Sequence, residues 1–150
     1  MSVQGMNHFT VLSDDLDVTK NFYCDLLGLE VGPRPNFQFP GWWLYAGDTP
    51  VLHVIHRKQL GEVRAGVIDH MAFTATDLPG TAEKLKKANI TYELRRLPPG
   101  VRGGLWQLFF DDPHGAKVEF DFDKDEAAPL FQVDIGGTHD QVVVCRVRDP

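Results

Sequence analysis

The 150-residue sequence has little cysteine, no long apolar run and no excess of basic charge. Two cysteines, Cys24 and Cys145, are too few for a disulfide framework or a cysteine-rich metal site, so we expect free thiols in a reducing cytoplasm. No segment approaches the roughly 18 consecutive apolar residues of a membrane span. Residues 1–8 lack the basic and apolar regions of a signal peptide. We therefore expect a cytoplasmic protein without membrane partners, in which any metal is bound by His and carboxylate side chains.

The charge balance and the composition restrict the function further. The formal net charge is −6, from 21 acidic and 15 basic residues, which argues against a nucleic-acid partner because such proteins need a basic surface. The sequence is 43% hydrophobic and 11% aromatic, the reverse of a disordered composition. This length predicts one domain, or two small similar ones that share a core.

A weak internal repeat relates residues 7–16 to residues 69–78. An offset of 62 residues carries His8 onto His70 and the pair Asp15-Leu16 onto Asp77-Leu78. In each copy a histidine opens an apolar, strand-like stretch, and an aspartate then precedes a helical pattern. The repeat predicts two halves with the same order of elements.

The pattern in each half is one strand, one helix and three further strands. Asp15 or Asp14 is the expected cap of the first helix, which Gly28 ends, and Asp77 is the expected cap of the second, with Pro79 in its first turn. The later strands are predicted at 29–32, 42–46, 51–56, 90–96, 105–111 and 116–122. Beyond the repeat, the C-terminal residues are expected to form either a loose tail or an ordered arm. In the ordered arm, 141–147 forms an extra edge strand or pairs with another chain, after a bend at Gly136-Gly137.

Four residues at repeat-related positions form the candidate site. His8 and His70 open the first strand of each half, while His53 and Glu119 lie within the last strands. If a pseudo-twofold axis relates the halves, these side chains converge and suit a divalent transition metal with open positions for substrate. Taken alone, His53 is more typical of a core histidine, and Glu119 of a solvent-facing residue in an alternating strand. The shared register favours the metal.

Two segments resemble the vicinal oxygen chelate superfamily of glyoxalase I, type I extradiol dioxygenases, methylmalonyl-CoA epimerase and fosfomycin- or bleomycin-resistance proteins. Residues 19–29 resemble its "FY…LLGL" helix end, and residues 112–119 its "DPxGxxxE" ending. The resemblance covers about 4–123. It implies an α+β fold of two βαβββ modules, about 4–58 and 66–123, forming a curled eight-stranded mixed sheet around a metal-binding cup. The whole domain is then 1–123, and 124–150 is a C-terminal extension.

The resemblance also implies ligands for a divalent ion, which is Fe, Ni, Co, Mn or Zn. They match His8, His70 and Glu119, and a fourth ligand falls at His53. Glyoxalase I usually has a glutamate at that fourth position, so Glu119 is left as the one carboxylate that can serve as base. Extradiol dioxygenases have a catalytic tyrosine where this chain has Phe109. That departure slightly favours lyase or isomerase chemistry, with a dioxygenase as the alternative.

The expected substrate pocket is aromatic, with Phe37, Phe39, Trp43, Tyr45 and Phe109 as its residues. The proline-rich segment 32–41 is a candidate lid. We expect a small aromatic or hydrophobic substrate with adjacent oxygens. A further alternative is a non-catalytic drug- or ligand-binding protein of the bleomycin-resistance type, which needs no metal. Both functions predict a homodimer, because open modules of this kind pair.

Overall fold

The computed structural model describes Ser2, residues 4–62, residues 66–129 and the backbone of Cys145 and Arg146. The chain divides into two compact units. Unit 1 is built from residues 1–65 together with Pro113–Gly115, and unit 2 from residues 66–112 and 116–150. Each unit contains one of the two predicted halves.

The described part of unit 1 contains a four-stranded mixed sheet and one helix. The strand order is β1-β4-β3-β2, with β1 parallel to β4 and the other pairs antiparallel. The elements are β1 (Phe9–Ser13), α1 (Leu16–Asn21), which continues through a π-helical turn (Phe22–Leu26), β2 (Glu30–Val31), β3 (Gly41–Ala46) and β4 (Thr49–His56).

The α1 segment begins and ends as its sequence predicts. The Asp15 side chain accepts hydrogen bonds from the backbone N–H groups of Asp17 and Val18, which have no partner within the helix. Gly28 takes a φ of 79° after the π turn, in the left-handed region that favours glycine. Tyr23, from that turn, is fully buried, as are Leu44 and Leu52 of the sheet.

The described part of unit 2 contains a five-stranded mixed sheet of order β5-β8-β7-β6-β9, in which only β5 and β8 pair in parallel. The elements are β5 (Met71–Thr74), α2 (Leu78–Lys87), β6 (Tyr92–Arg96), a 3₁₀ turn (Arg102–Gly104), β7 (Trp106–Asp111), β8 (Lys117–Phe122) and β9 (Cys145–Arg146). Leu78, Ala82 and Leu85 form the fully buried face of α2.

Two carboxylates cap α2. The Asp77 side chain accepts from the Gly80 N–H at 3.1 Å, and a side chain at position 80 would overlap that carboxylate. Glu126, which lies beyond the repeat, accepts from the N–H groups of Asp77 at 2.9 Å and Leu78 at 3.2 Å. The beginning of the C-terminal extension thus helps to fix the start of the helix.

The predicted α+β fold of two βαβββ modules is confirmed. Hydrogen bonding groups the described strands by unit, and the ends of the observed strands lie within two residues of the predicted ranges. Of the extra strand expected over 141–147, Cys145–Arg146 pairs antiparallel with the edge of β6. The rest of it, and the bend at Gly136-Gly137, lie outside the described residues. No helix within the described residues is long and apolar enough to cross a membrane.

Candidate metal centre

The strand registers place the predicted ligands at equivalent points of the two units. His53 of β4 lies opposite Thr10 of β1, and Glu119 of β8 lies opposite Ala72 of β5. Thr10 and Ala72 are 62 residues apart, the same offset that separates His8 from His70. Each unit therefore has a histidine just before its first strand and a candidate ligand in the adjacent last strand.

In unit 1 the candidate ligands form an aromatic stack. The His8 and His53 rings stack with centroids 3.8 Å apart, and Trp43 stacks on His53 at 4.2 Å with an interplanar angle of 1°. His53 is thus held between two rings. Burial, followed by electrostatic interaction with His8 and Arg34, lowers the pKa of His53, which favours the neutral imidazole that metals bind.

In unit 2 the candidate ligands form a polar pair. His70 Nε2 lies 2.6 Å from Glu119 Oε2. Glu119 is only 3% exposed, so its interpretation as a solvent-facing residue is wrong. The Gln107 amide donates to the other oxygen of Glu119. Burial, followed by the nearby Asp121 carboxylate, raises the pKa of Glu119, while His70 and Gln107 oppose that rise.

In each unit the histidine just before the first strand, which we call the leading histidine, contacts the side chain of the preceding residue through its Nδ1 atom. His8 Nδ1 lies 2.6 Å from Asn7 Oδ1, and His70 Nδ1 lies 2.7 Å from Asp69 Oδ1. An oxygen acceptor at Nδ1 places the ring proton there and leaves Nε2 as the donor atom for a metal, a common arrangement around metal-binding histidines. Asn7 and Asp69 lie in the repeat, which is the signal by which sequence reasoning could have assigned them this role.

The structure brings the predicted ligands together as two pairs, one in each unit. Within neither unit do three His, Cys, Asp or Glu side chains of the described residues form a group that could hold a metal. Of the other histidines, His114 lies between β7 and β8 in the chain but belongs to unit 1. Its Nε2 lies 2.8 Å from Thr19 Oγ1 and 3.2 Å from Ser13 Oγ, which gives it a structural role there.

The predicted pocket residues separate into three environments. Phe37 and Phe39 stack at 5.2 Å, each 41% exposed, and Phe37 lies 6.2 Å from Trp43. Tyr45 anchors the 32–41 loop, because its hydroxyl donates to Pro33 O at 2.7 Å. Phe109, in unit 2, packs edge-on against His70 at 5.6 Å.

Sequence reasoning missed the polar residues behind Glu119. Gln107 donates to both Glu119 and Asp121, the latter at 3.3 Å. Arg102 Nη1 lies 2.6 Å from Asp121 Oδ2. The alternation of side chains in β8 places Glu119 and Asp121 on one face, but their sharing of Gln107 depends on the β7–β8 register.

Taken together, the fold and these pairs define a protein of paired βαβββ modules, each with a histidine beside a candidate ligand strand. The model of the Glyoxalase/Bleomycin resistance protein/Dioxygenase superfamily matches residues 5–120, and the chain belongs to that superfamily.

Individual relatives agree with this membership. "Glyoxylase I 4" of Arabidopsis thaliana is 28% identical over 127 residues, which are 79% of this chain and 71% of the relative. "Glutathione transferase FosA" of Serratia marcescens is 29% identical over 120 residues, 78% of this chain and 79% of the relative. A glyoxylase/bleomycin resistance protein/dioxygenase domain from Frankia sp. EAN1pec superposes with a TM-score of 0.64 at 23% identity, covering 84% of this chain and 96% of that one. That last likeness concerns the fold.

Proposed function

We propose that this protein is a metal-dependent vicinal oxygen chelate enzyme acting on a small substrate with adjacent oxygens, by glyoxalase-like lyase or isomerase chemistry. His8, His70 and Glu119 bind a divalent ion, and His53 is a fourth ligand. The observation that carries the proposal is the 2.6 Å approach of His70 Nε2 to the buried Glu119 carboxylate.

The donor atoms suit such an ion. Three imidazoles and one carboxylate are ligands that Fe, Ni, Co, Mn and Zn accept. His53 Nε2 is buried and has no hydrogen-bond partner among the described residues. A buried polar atom left in this state costs free energy, and a ligand would offset that cost. The Nδ1 contacts of His8 and His70 orient the rings as in other metal sites.

The chemistry follows from one shared ion and one carboxylate. When bound, a divalent metal would polarise adjacent substrate oxygens and make the neighbouring C–H more acidic. Among the four ligands, Glu119 alone is a carboxylate, so its oxygen takes the proton from one substrate carbon and returns it to the next. Phe109, beside His70, has no hydroxyl to offer a substrate oxygen. That absence supports lyase or isomerase chemistry over ring cleavage by an extradiol dioxygenase.

Elemental analysis of protein purified without added metal tests the proposal. We expect about one divalent ion per chain in the wild type and loss of that ion in His70→Ala, with the fold intact by circular dichroism. His56→Ala, a histidine change in β4 outside the proposed ligand set, should keep the metal. Nickel, cobalt or zinc would support lyase or isomerase chemistry, and iron would favour oxygen chemistry. Full occupancy in His70→Ala would overturn the ligand assignment.

The non-catalytic alternative predicts a different response to metal removal. A drug-binding protein would keep its ligand affinity after treatment with a chelator, whereas the proposed enzyme would lose substrate turnover and substrate chelation together. We also propose that the enzyme works as a cytoplasmic homodimer. Light scattering at micromolar concentration should give twice the chain mass, and a monomer would contradict this part of the proposal.

A further inference from the structure

The 32–41 loop of unit 1 carries a guanidinium set among aromatic rings. Arg34 lies over the rings of Phe37 and Phe39, at 5.0 and 5.1 Å from their centroids, and its Nη2 donates to Phe39 O at 2.7 Å. The Tyr45 hydroxyl fixes the other side of the loop at Pro33. Three prolines, Pro33, Pro35 and Pro40, limit the loop's freedom before any ligand binds.

The charge of Arg34 has no carboxylate partner among the described residues. Its carbonyl contact uses one donor of a planar fork that has several. An arginine with free donors beside exposed aromatic rings is suited to a planar anion, because the rings stack on the ligand and the fork binds its carboxylate. The Phe37 ring centroid is 6.2 Å from that of Trp43, and Trp43 stacks on His53. Ring contacts therefore link the loop to a proposed metal ligand.

We propose that Arg34 binds an anionic group of the substrate while Phe37 and Phe39 stack on its ring, which makes the substrate class an aromatic carboxylate. This inference rests on the proposed function, since it names the substrate of the same site.

Fragment binding to the purified holoprotein tests this inference, with benzoate and its neutral analogue benzamide as probes in calorimetric titrations. Benzoate should bind the wild type about tenfold more tightly than benzamide, as one charged hydrogen-bonded contact provides. Arg34→Met should abolish that preference and leave benzamide binding unchanged. Arg57→Met, at an exposed arginine of the same unit, is the matched control and should behave as wild type.

The His70→Ala variant distinguishes binding of the benzoate carboxylate by Arg34 from its direct binding to a metal. If the benzoate preference persists in His70→Ala and is lost in Arg34→Met, the anion is bound by Arg34 whether or not the metal assignment holds. If His70→Ala abolishes the preference while Arg34→Met keeps it, the metal holds the anion and the inference is wrong. Equal binding of benzoate and benzamide to the wild type would also overturn it.

A second, independent observation concerns the polar chain in unit 2. Gln107 Nε2 donates to one oxygen of Glu119 and, at 3.3 Å, to Asp121 Oδ1. Asp121 is 7% exposed and is paired with Arg102 at 2.6 Å. Arg102 has a φ of 46°, in a region that non-glycine residues avoid. The backbone there is strained in the conformation that carries this contact, and strain of this kind clusters at functional sites.

We infer that Gln107 is a positioning residue for Glu119, itself oriented by Asp121 and Arg102. Its amide occupies one carboxylate oxygen and leaves Oε2, the atom beside His70 Nε2, for a metal. This second inference also rests on the proposed function.

Metal affinity of the apoprotein, measured with Co²⁺ by competition against a chelating dye, tests the role of Gln107. Gln107→Met keeps the side-chain length but removes the donor, and should weaken Co²⁺ binding roughly 10–100-fold, the usual cost of losing such a partner. Its Co²⁺ visible spectrum should also change, which loss of stability alone would not cause. The matched control Gln38→Met, on the exposed loop, should bind Co²⁺ as wild type.

Arg102→Met should lose less Co²⁺ affinity than Gln107→Met, because Arg102 acts on Glu119 only through Asp121. The control is Arg96→Met, since Arg96 stacks on Trp106 and takes no part in these contacts. Wild-type affinity and an unchanged spectrum in Gln107→Met would overturn the inference while leaving the metal assignment intact. If wild-type protein binds no Co²⁺, the proposed function and this inference fail together.

Discussion

Units 1 and 2 share one order of elements but surround their equivalent residues differently. In unit 1, His53 lies between the rings of His8 and Trp43. Its Nε2 is buried and has no hydrogen-bond partner among the residues that the structure describes. In unit 2, the equivalent Glu119 contacts His70 and Gln107, and Gln107 in turn contacts Asp121. The duplicated frame therefore supports an aromatic cluster in unit 1 and a polar cluster in unit 2 at the same register positions.

This difference shows that equivalent positions of a repeat can acquire different chemistry. Stacked rings fix the plane of an imidazole and present an apolar surface to a substrate, but they supply no anionic ligand. A buried carboxylate with charged and amide neighbours can hold a proton and a metal, at a desolvation cost that its hydrogen bonds offset. We therefore expect substrate recognition to depend mainly on unit 1, and ion binding to depend more on Glu119 of unit 2 than on His53 of unit 1.

The largest expected effect compares the two positions directly. Glu119→Gln keeps the shape but removes the one anionic ligand, and should weaken divalent metal binding beyond the roughly 10–100-fold typical of a lost outer partner. His53→Gln should weaken binding less than Glu119→Gln does, because two imidazoles and the carboxylate remain. Calorimetric titration of the apoproteins with Zn²⁺ measures both. A larger loss of Zn²⁺ affinity in His53→Gln would show that ion binding depends more on the imidazole of unit 1 than on the carboxylate of unit 2.

Much of this frame could be predicted from the sequence. The 62-residue repeat identified both leading histidines, and Asp15 and Asp77 marked the helix starts, because capping is a local property of a few residues. The equivalence of His53 and Glu119 also followed from the repeat, even though they are 66 residues apart.

Contacts that depend on tertiary register could not be predicted in the same way. The Gln107 contacts require the β7–β8 pairing, in which Gln107 lies opposite Asp121. His114 reads as an ordinary turn residue, yet it hydrogen bonds Thr19, 95 positions earlier in the chain. The role of Glu126 at α2 was hidden within a charge run that is typical of a solvated surface.

The helix caps give a smaller test of the comparison. Glu126→Ala removes the acceptor for the Asp77 and Leu78 N–H groups, and should lower the free energy of unfolding by about 1 kcal/mol, as loss of a cap does. Metal content should not change. Urea denaturation measures the effect, with Asp48→Ala in the exposed turn of unit 1 as control. Equal stability of Glu126→Ala and wild type would show that Asp77 alone caps α2.

The smallest effect concerns the π-helical turn of unit 1, for which α2 of unit 2 shows no counterpart among the described residues. Burial, followed by the charge of Asp25, raises the pKa of the Cys24 thiol above its ordinary value. The thiolate is the reactive form, so alkylation of Cys24 by iodoacetamide should be slower than in the urea-unfolded chain, and its pH profile should lie at higher pH.

The raised pKa of Cys24 also makes the free energy of unfolding depend on pH. Because the unfolded chain loses this proton first, the contribution of Cys24 is complete below the unfolded pKa and is lost as the pH rises through the folded one. Peptide mapping by mass spectrometry isolates Cys24 from Cys145. A folded-state rate equal to that of the unfolded chain would mean that the turn opens readily, and that unit 1 holds its helix end less firmly than the burial of Tyr23 indicates.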